Sequence, residues 1–137
     1  MKMSRPIHFD VSAKDPQKFV SFYEAVFGWK FDKTPMPMDY WLITTGPKET
    51  PGIDGGLSQG EPKTEPRPRE VKGQSVLAGV VLTLDANDLD ATLAKVTENG
   101  GKVKQPRGPI PGVGWYAAFV DPTGNAFGLM QADPKAK

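Results

Sequence analysis

Gly124-Asn125-Ala126-Phe127-Gly128-Leu129-Met130-Gln131 has a counterpart earlier in the chain, Gly52-Ile53-Asp54-Gly55-Gly56-Leu57-Ser58-Gln59. The shared Gly-Leu-x-Gln ending sets a register, and the elements outward from it repeat in the same order. Upstream, Tyr40-Trp41-Leu42-Ile43-Thr44-Thr45-Gly46-Pro47 aligns without gaps on Trp115-Tyr116-Ala117-Ala118-Phe119-Val120-Asp121-Pro122. Before these strands come extended segments, Trp29 to Lys33 and Lys102 to Lys104, each preceded by a helix. The first helix opens at Asp15-Pro16, an N-cap with proline at the first helical position. It carries Phe19, Phe22, Tyr23, Val26 and Phe27 as an apolar stripe and ends at Gly28. The second is capped by Asn87 or Asp88, carries Leu89, Leu93 and Val96, and stops at Asn99-Gly100-Gly101. Each helix follows an alternating strand: Ile7, Phe9 and Val11 in the first, Val80, Leu82 and Leu84 in the second.

The pattern predicts an α+β protein of two βαβββ modules, residues 1–59 and 76–137, forming one cupped mixed sheet with helices on the convex face. Residues 60–75, rich in Pro, Glu, Lys and Arg, read as an extended solvated linker. A formal net charge of +1 over 137 residues gives no reason to expect a nucleic-acid groove or an anionic membrane surface. No apolar run reaches the ~18 residues of a membrane span, and the start has no signal-peptide core, so the cytoplasm is the expected location. With no cysteine, disulfides, thiolate nucleophiles and thiolate-held metals are excluded. Gly52-Ile53-Asp54-Gly55-Gly56 precedes a strand, not a helix, and makes no phosphate cradle.

If the helix stripes cover one face, alternate strand residues line the other. Period two places His8 and Asp10 in the hollow from the first half, and Val81 and Thr83 from the second. Carrying alternation through the Gly-Leu-x-Gln strands adds Gln59 and Gln131, with Leu57, Leu129 and Phe127. One member of each aromatic pair, Tyr40/Trp41 and Trp115/Tyr116, is expected to point inward, where it could sandwich a flat or cationic molecule. The segment Gln105 to Gly114 reads as a loop at the mouth, with Arg107 as its charged contact.

His8-Phe9-Asp10, Phe22-Tyr23-Glu24-Ala25-Val26-Phe27-Gly28-Trp29 and Asp121-Pro122-Thr123-Gly124-Asn125, running into Gly128-Leu129-Met130-Gln131, resemble the vicinal oxygen chelate superfamily. That superfamily contains glyoxalase I, bleomycin resistance proteins and extradiol dioxygenases. The resemblance covers the whole chain except the linker. It implies a homodimer and, in metal-dependent members, one ligand from the first and one from the last strand of each half, usually His and Glu. Carried over, the positions are His8, Gln59, Val81 and Gln131, of which only His8 matches the usual type. Valine binds no metal, and a carboxamide is neutral and cannot act as a general base.

The expectation is therefore a protein that binds a small aromatic molecule without a complete metal site or other cofactor. The candidate contacts are His8, Asp10, Trp41, Gln59, Thr83, Arg107, Trp115, Tyr116 and Gln131. The rival is a metal-dependent lyase, isomerase or dioxygenase with His8 as ligand or base. It needs a further ligand, from Asp10, Glu24 or a partner chain, to hold Zn²⁺, Ni²⁺, Mn²⁺ or Fe²⁺.

Overall fold

The computed structural model describes residues 3–60, 69–71, 74–76 and 80–137. The chain divides into two compact units, His8–Val81 on one hand and Met1–Ile7 with Leu82–Lys137 on the other. The first holds most of β1 (Pro6–Ala13), then α1 (Pro16–Phe27), β2 (Lys30–Lys33), β3 (Tyr40–Thr44) and β4 (Asp54–Gln59). Two short strands follow, β5 (Arg69–Val71) and β6 (Gln74–Val76). The second holds most of β7 (Val80–Asp85), then α2 (Leu89–Glu98), β8 (Lys102–Ile110), β9 (Gly114–Val120) and β10 (Ala126–Ala132).

The strands run β2-β3-β4-β1 in one unit and β7-β10-β9-β8 in the other. In both, the first strand lies parallel to the last, and the remaining pairs are antiparallel. The repeated βαβββ plan and the α+β class read from the sequence are what the structure shows.

The helix boundaries have local causes. Asp15 Oδ1 accepts the Lys18 N–H at 3.3 Å, and Pro16 supplies the first helical φ. Gly28, at φ 72°, takes the left-handed conformation and donates its N–H to Glu24 O. Asp88 is the N-cap of α2 and accepts from Ala91 N at 3.0 Å.

In the second unit, Leu89 inserts into a core of Ala86, Ala117 and Leu129, flanked by Leu84, Leu93, Trp115 and Phe119. Burying a leucine this fully stabilises the fold by about 1.5–3 kcal/mol. In the first unit, Phe9, Val11, Ile43 and Leu57 are buried.

The α1 stripe departs from expectation. Phe22, Val26 and Phe27 are exposed. The Phe22 and Phe27 rings pack on Tyr23, which stacks on Trp29 at 4.8 Å, so the exposed rings join an aromatic cluster at the end of the helix.

A second departure is the segment Gln105 to Gly114, read above as a loop. β8 runs through it to Ile110, paired with β9 and interrupted by register shifts on either side of Gln105. Those irregularities, and its place at the end of the strand order, let β8 accommodate Pro106 and Pro109. Of the 60–75 linker, residues 61–68 and 72–73 lie outside the described residues, while β5 and β6 pair antiparallel. Among the described residues, no helix is long and apolar enough to cross a membrane.

Candidate functional site

Residues paired across a sheet point to the same face, so the registers decide which side chains can meet. In the first unit β1 pairs with β4 as Phe9↔Gly55, Asp10↔Gly56 and Val11↔Leu57. Phe9 and Leu57 are buried, and the Phe9 ring lies 5.8 Å from Trp29 at the end of α1. Asp10 and Gly56 therefore belong to the opposite face. β3 adds Tyr40, paired with Ser58, to that same face.

There a compact polar group forms. The Tyr40 hydroxyl donates to Asp10 Oδ1 at 3.2 Å and lies 3.4 Å from His8 Nε2. His8 Nε2 is also 3.4 Å from Asp10 Oδ1, with the two side chains 32% and 13% exposed. Gly56 makes the arrangement possible, because a Cβ there would overlap the Tyr40 phenol. Ser58 Oγ, on the same face, is buried and has no hydrogen-bond partner.

The second unit repeats the device with different chemistry. β7 and β10 pair as Thr83↔Gly128 and Leu84↔Leu129. Leu84 packs against the helix-side core, so Leu129 does too, and Thr83 and Gly128 share the other face. Tyr116, paired with Met130, lays its hydroxyl over Gly128 beside the Thr83 hydroxyl. Val81, two residues before Thr83 and likewise buried, shares its parity.

The registers correct several expectations. Leu57, Leu129 and Phe127 do not share the His8 or Thr83 faces, and neither do the glutamines that alternate with them. Gln131 accepts the Leu89 N–H at 2.8 Å, capping the start of α2 from the helix side. Gln59 is exposed and falls on the Leu57 side of its strand. The last-strand residues that do face Asp10 and Thr83 are Gly56 and Gly128.

The aromatic alignment is also shifted by one residue. Tyr40 opposes Ser58 and Tyr116 opposes Met130, so Tyr40 matches Tyr116. Trp41 pairs with Leu57 and lies on the helix side, with Lys33 Nζ 5.6 Å from its ring centroid. Trp115 packs on the α2 core and donates its indole N–H to Asp133 at 3.1 Å.

Arg107 is not a contact of the Thr83 face. Its guanidinium lies 4.2 Å from the Trp115 ring centroid and bonds Asp90 of α2 at 2.7 Å. A cavity of about 220 Å³ opens at the same end of α2, lined by Ile7, Asp85, Asn87, Met130 and Gln131 among others.

Of the pair Tyr40/Trp41, the candidate contacts hold Trp41, but it is Tyr40 that lies beside His8 and Asp10. Its signal was the glycine sixteen positions later, whose missing side chain makes room for a ring.

The Asp121-Pro122-Thr123-Gly124-Asn125 turn works as a hairpin device. Asp121 Oδ1 accepts from Asn125 N, Thr123 N and the Thr123 hydroxyl at 2.8–2.9 Å. The Asn125 N–H, then the Thr123 hydroxyl, hold its carboxyl down at about 2. Asp133 is held below the usual carboxylate range by the Lys135 N–H, the Trp115 indole and the charge of Arg107.

The profile of the Glyoxalase/Bleomycin resistance protein/Dioxygenase superfamily matches residues 5–129. The chain belongs to this superfamily. Two curated relatives, from Mycobacterium bovis and Mycobacterium tuberculosis, carry the name CFP32 with a provisional glyoxylase assignment. Each is 28% identical over 135 residues, covering 96% of this chain and 47% of the relative. The chain thus spans about half the length of the curated relatives it matches.

Solved structures share the fold. A hypothetical protein from Bacillus halodurans superposes with a TM-score of 0.65 at 12% identity, covering 99% of both chains. Streptomyces coelicolor methylmalonyl-CoA epimerase, in complex with 2-nitronate-propionyl-CoA, gives 0.59 at 16% identity, again covering 99% of both. A superfamily member from Vibrio splendidus gives 0.60 at 17% identity, covering 94% of this chain and 99% of that one.

The divalent metal of metal-dependent superfamily members can be tested against the donors present. The side chains in contact around His8 are one imidazole, one carboxylate and a phenol. The last-strand positions paired with Asp10 and Thr83 are glycines, without side-chain donors. Among the described residues, no group of three or more His, Cys, Asp or Glu side chains comes together. A catalytic zinc is held by three protein ligands of this kind. The residues do not fit such a centre.

Proposed function

We propose that this chain is a small-molecule-binding member of its superfamily, which holds a compact, flat organic ligand against the His8–Asp10–Tyr40 face without a complete metal site. The observation that carries this reading is Gly56. The last-strand position facing Asp10 has no side chain, and a phenol ring occupies the space a carboxylate would need. What remains is hydrogen-bonding chemistry, able to orient a ligand, beside a phenol ring able to stack on it. Location in the cytoplasm is part of the same proposal.

The test is a thermal-shift screen of aromatic small molecules on chelator-treated protein. Hits that survive chelator and vanish in His8→Ala support the reading. Strong stabilisation by Ni²⁺ or Zn²⁺, with ligand binding only in their presence, overturns it.

A second reading, a proton-transferring enzyme of glyoxalase or epimerase type, is favoured by one observation, the imidazole beside a carboxylate. His8 could serve there as general acid or base. Turnover of a carbonyl compound bearing an exchangeable α-proton, monitored by solvent deuterium incorporation and lost in His8→Ala, would establish it.

A homodimer also belongs to the proposal. The exposed Phe22, Val26 and Phe27 offer an apolar patch, and the curated relatives are about twice as long. Light scattering that gives twice the 14.9 kDa chain mass supports it, and a monomer refutes it.

A further inference from the structure

We propose that Tyr40 and Asp10 together lock His8 in the Nε2–H tautomer, so that Nδ1 is a hydrogen-bond acceptor reserved for a ligand that donates a proton. The argument is one of sign. The Tyr40 hydroxyl donates its only proton to Asp10 Oδ1, so its oxygen is an acceptor towards everything else. Asp10, as a carboxylate, only accepts. His8 Nε2 faces these two oxygens, each at 3.4 Å. A nitrogen lone pair there would meet lone pairs on both sides, whereas an N–H satisfies both. Both contacts are long, so they favour the tautomer by orientation and charge more than by a single strong bond. A neutral imidazole with its proton on Nε2 has its lone pair on Nδ1. Tyr40 is thus a positioning residue that acts through His8.

The charges on this face narrow the ligand class, and this part rests on the proposed binding function. The registers place Asp32, Asp54 and Lys30 on the same face as His8 and Asp10. Asp54 is engaged by the Thr45 N–H at 2.8 Å. Three carboxylates against one ammonium disfavour an anionic ligand. The acceptors His8 Nδ1 and Asp10 favour a neutral or cationic molecule bearing an O–H or N–H, such as a phenol or an aromatic amine.

His8 is the only histidine in the chain, so ¹⁵N-histidine labelling gives one pair of ring signals with no assignment problem. At a pH where the ring is neutral, long-range ¹H–¹⁵N correlation should show Nδ1 pyridine-like and Nε2 pyrrole-like. The reverse pattern, or rapid averaging of the two, overturns the tautomer lock. Asp10→Asn provides the contrast, because its amide can donate to Nε2. The tautomer should shift towards Nδ1–H in that variant, and an unchanged ratio counts against the lock.

The ligand class is tested with phenol, anisole and benzoate titrated against the same signals. Phenol should perturb Nδ1 saturably, and about tenfold more tightly than anisole or benzoate, the effect of one hydrogen bond. Benzoate binding as well as phenol, or no perturbation by any of the three, overturns the donor-ligand class. The broader thermal-shift screen still decides the binding function separately, since it does not require a proton donor.

Discussion

The two units build one device twice and use it differently. Each lays a tyrosine hydroxyl over a last-strand glycine, Tyr40 over Gly56 and Tyr116 over Gly128, on the strand face away from the buried leucine core. In the first unit the partners on the opening strand are His8 and Asp10. In the second the partner is Thr83, with Val81 two residues before it on the same strand. The frame is therefore a property of the fold, while titratable chemistry is a property of one half. The difference teaches that one backbone frame carries an imidazole and a carboxylate in one half, and an isopropyl group and a hydroxyl in the other.

The comparison can be broken most severely at its foundations. Leu57 and Leu129 occupy equivalent positions and are 0% and 1% exposed. Leu57→Ala and Leu129→Ala should each destabilise by about 2–5 kcal/mol in urea unfolding. A loss under 1 kcal/mol in either would show that the two cores are not equivalent.

The glycines come next. Gly56→Ala and Gly128→Ala must each displace a tyrosine ring, at a cost of about 1–3 kcal/mol. The second should be the more repairable. At Gly128 the nearest atoms to an added Cβ are the Tyr116 hydroxyl at 2.5 Å and the Thr83 hydroxyl at 2.8 Å. Tyr116→Phe should therefore recover part of the loss in Gly128→Ala. At Gly56 the ring carbons of Tyr40 are themselves too close, so Tyr40→Phe should recover little. Equal rescue in both halves would refute the difference in packing.

These same positions mark the limit of what the sequence discloses. The order of elements was legible because each signal is local: Asp15-Pro16 caps a helix, Gly28 ends it, and alternation along β1 and β7 needs only side-chain chemistry. The faces of β4 and β10 were not legible from their own residues. Gly-Leu-x-Gln offers a glycine with no side chain to classify and a polar residue that invites an inward reading. Only pairing with the neighbouring parallel strand shows that leucine and glutamine look towards the helix side. The gapless match of Tyr40-Trp41 with Trp115-Tyr116 misled for a related reason. Two adjacent aromatics satisfy either register, and the ladder, not their identity, chooses.

The glutamines then give a smaller, sharper contrast. Gln131 caps α2 through the Leu89 N–H, and Gln59 is exposed at the end of its strand. Gln131→Ala should cost about 0.5–2 kcal/mol, the range for loss of a helix cap. Gln59→Ala should stay within about 0.5 kcal/mol. Were both neutral, the Gln131 contact would be incidental. Were both costly, Gln59 would have a structural role that its exposure does not indicate.

The last contrast lies in the turns that lead into β4 and β10. In the first half, Thr45 at the start of the turn donates its N–H to Asp54 at the turn's end at 2.8 Å and its hydroxyl to Ile53 O at 2.6 Å. In the second half the aspartate comes first, and Asp121 gathers donors from Thr123 and Asn125. That gathering lowers its pKa from 3.8 to about 2. A carboxyl with a depressed folded pKa contributes stability that is complete above its unfolded value and is lost as pH falls through the folded one. The Asp121 turn should thus be fully formed above pH 3.8 and weaken as pH falls from there through about 2. The Thr123 and Asn125 amide resonances should report it, titrating together with a midpoint near 2. Because the group is exposed, the effect on global stability should be slight and reduced by salt. Asp121→Asn should abolish the shared titration while leaving the Thr45 amide unchanged. A midpoint near 4 in the parent protein would mean that these hydrogen bonds do not hold the charge in solution.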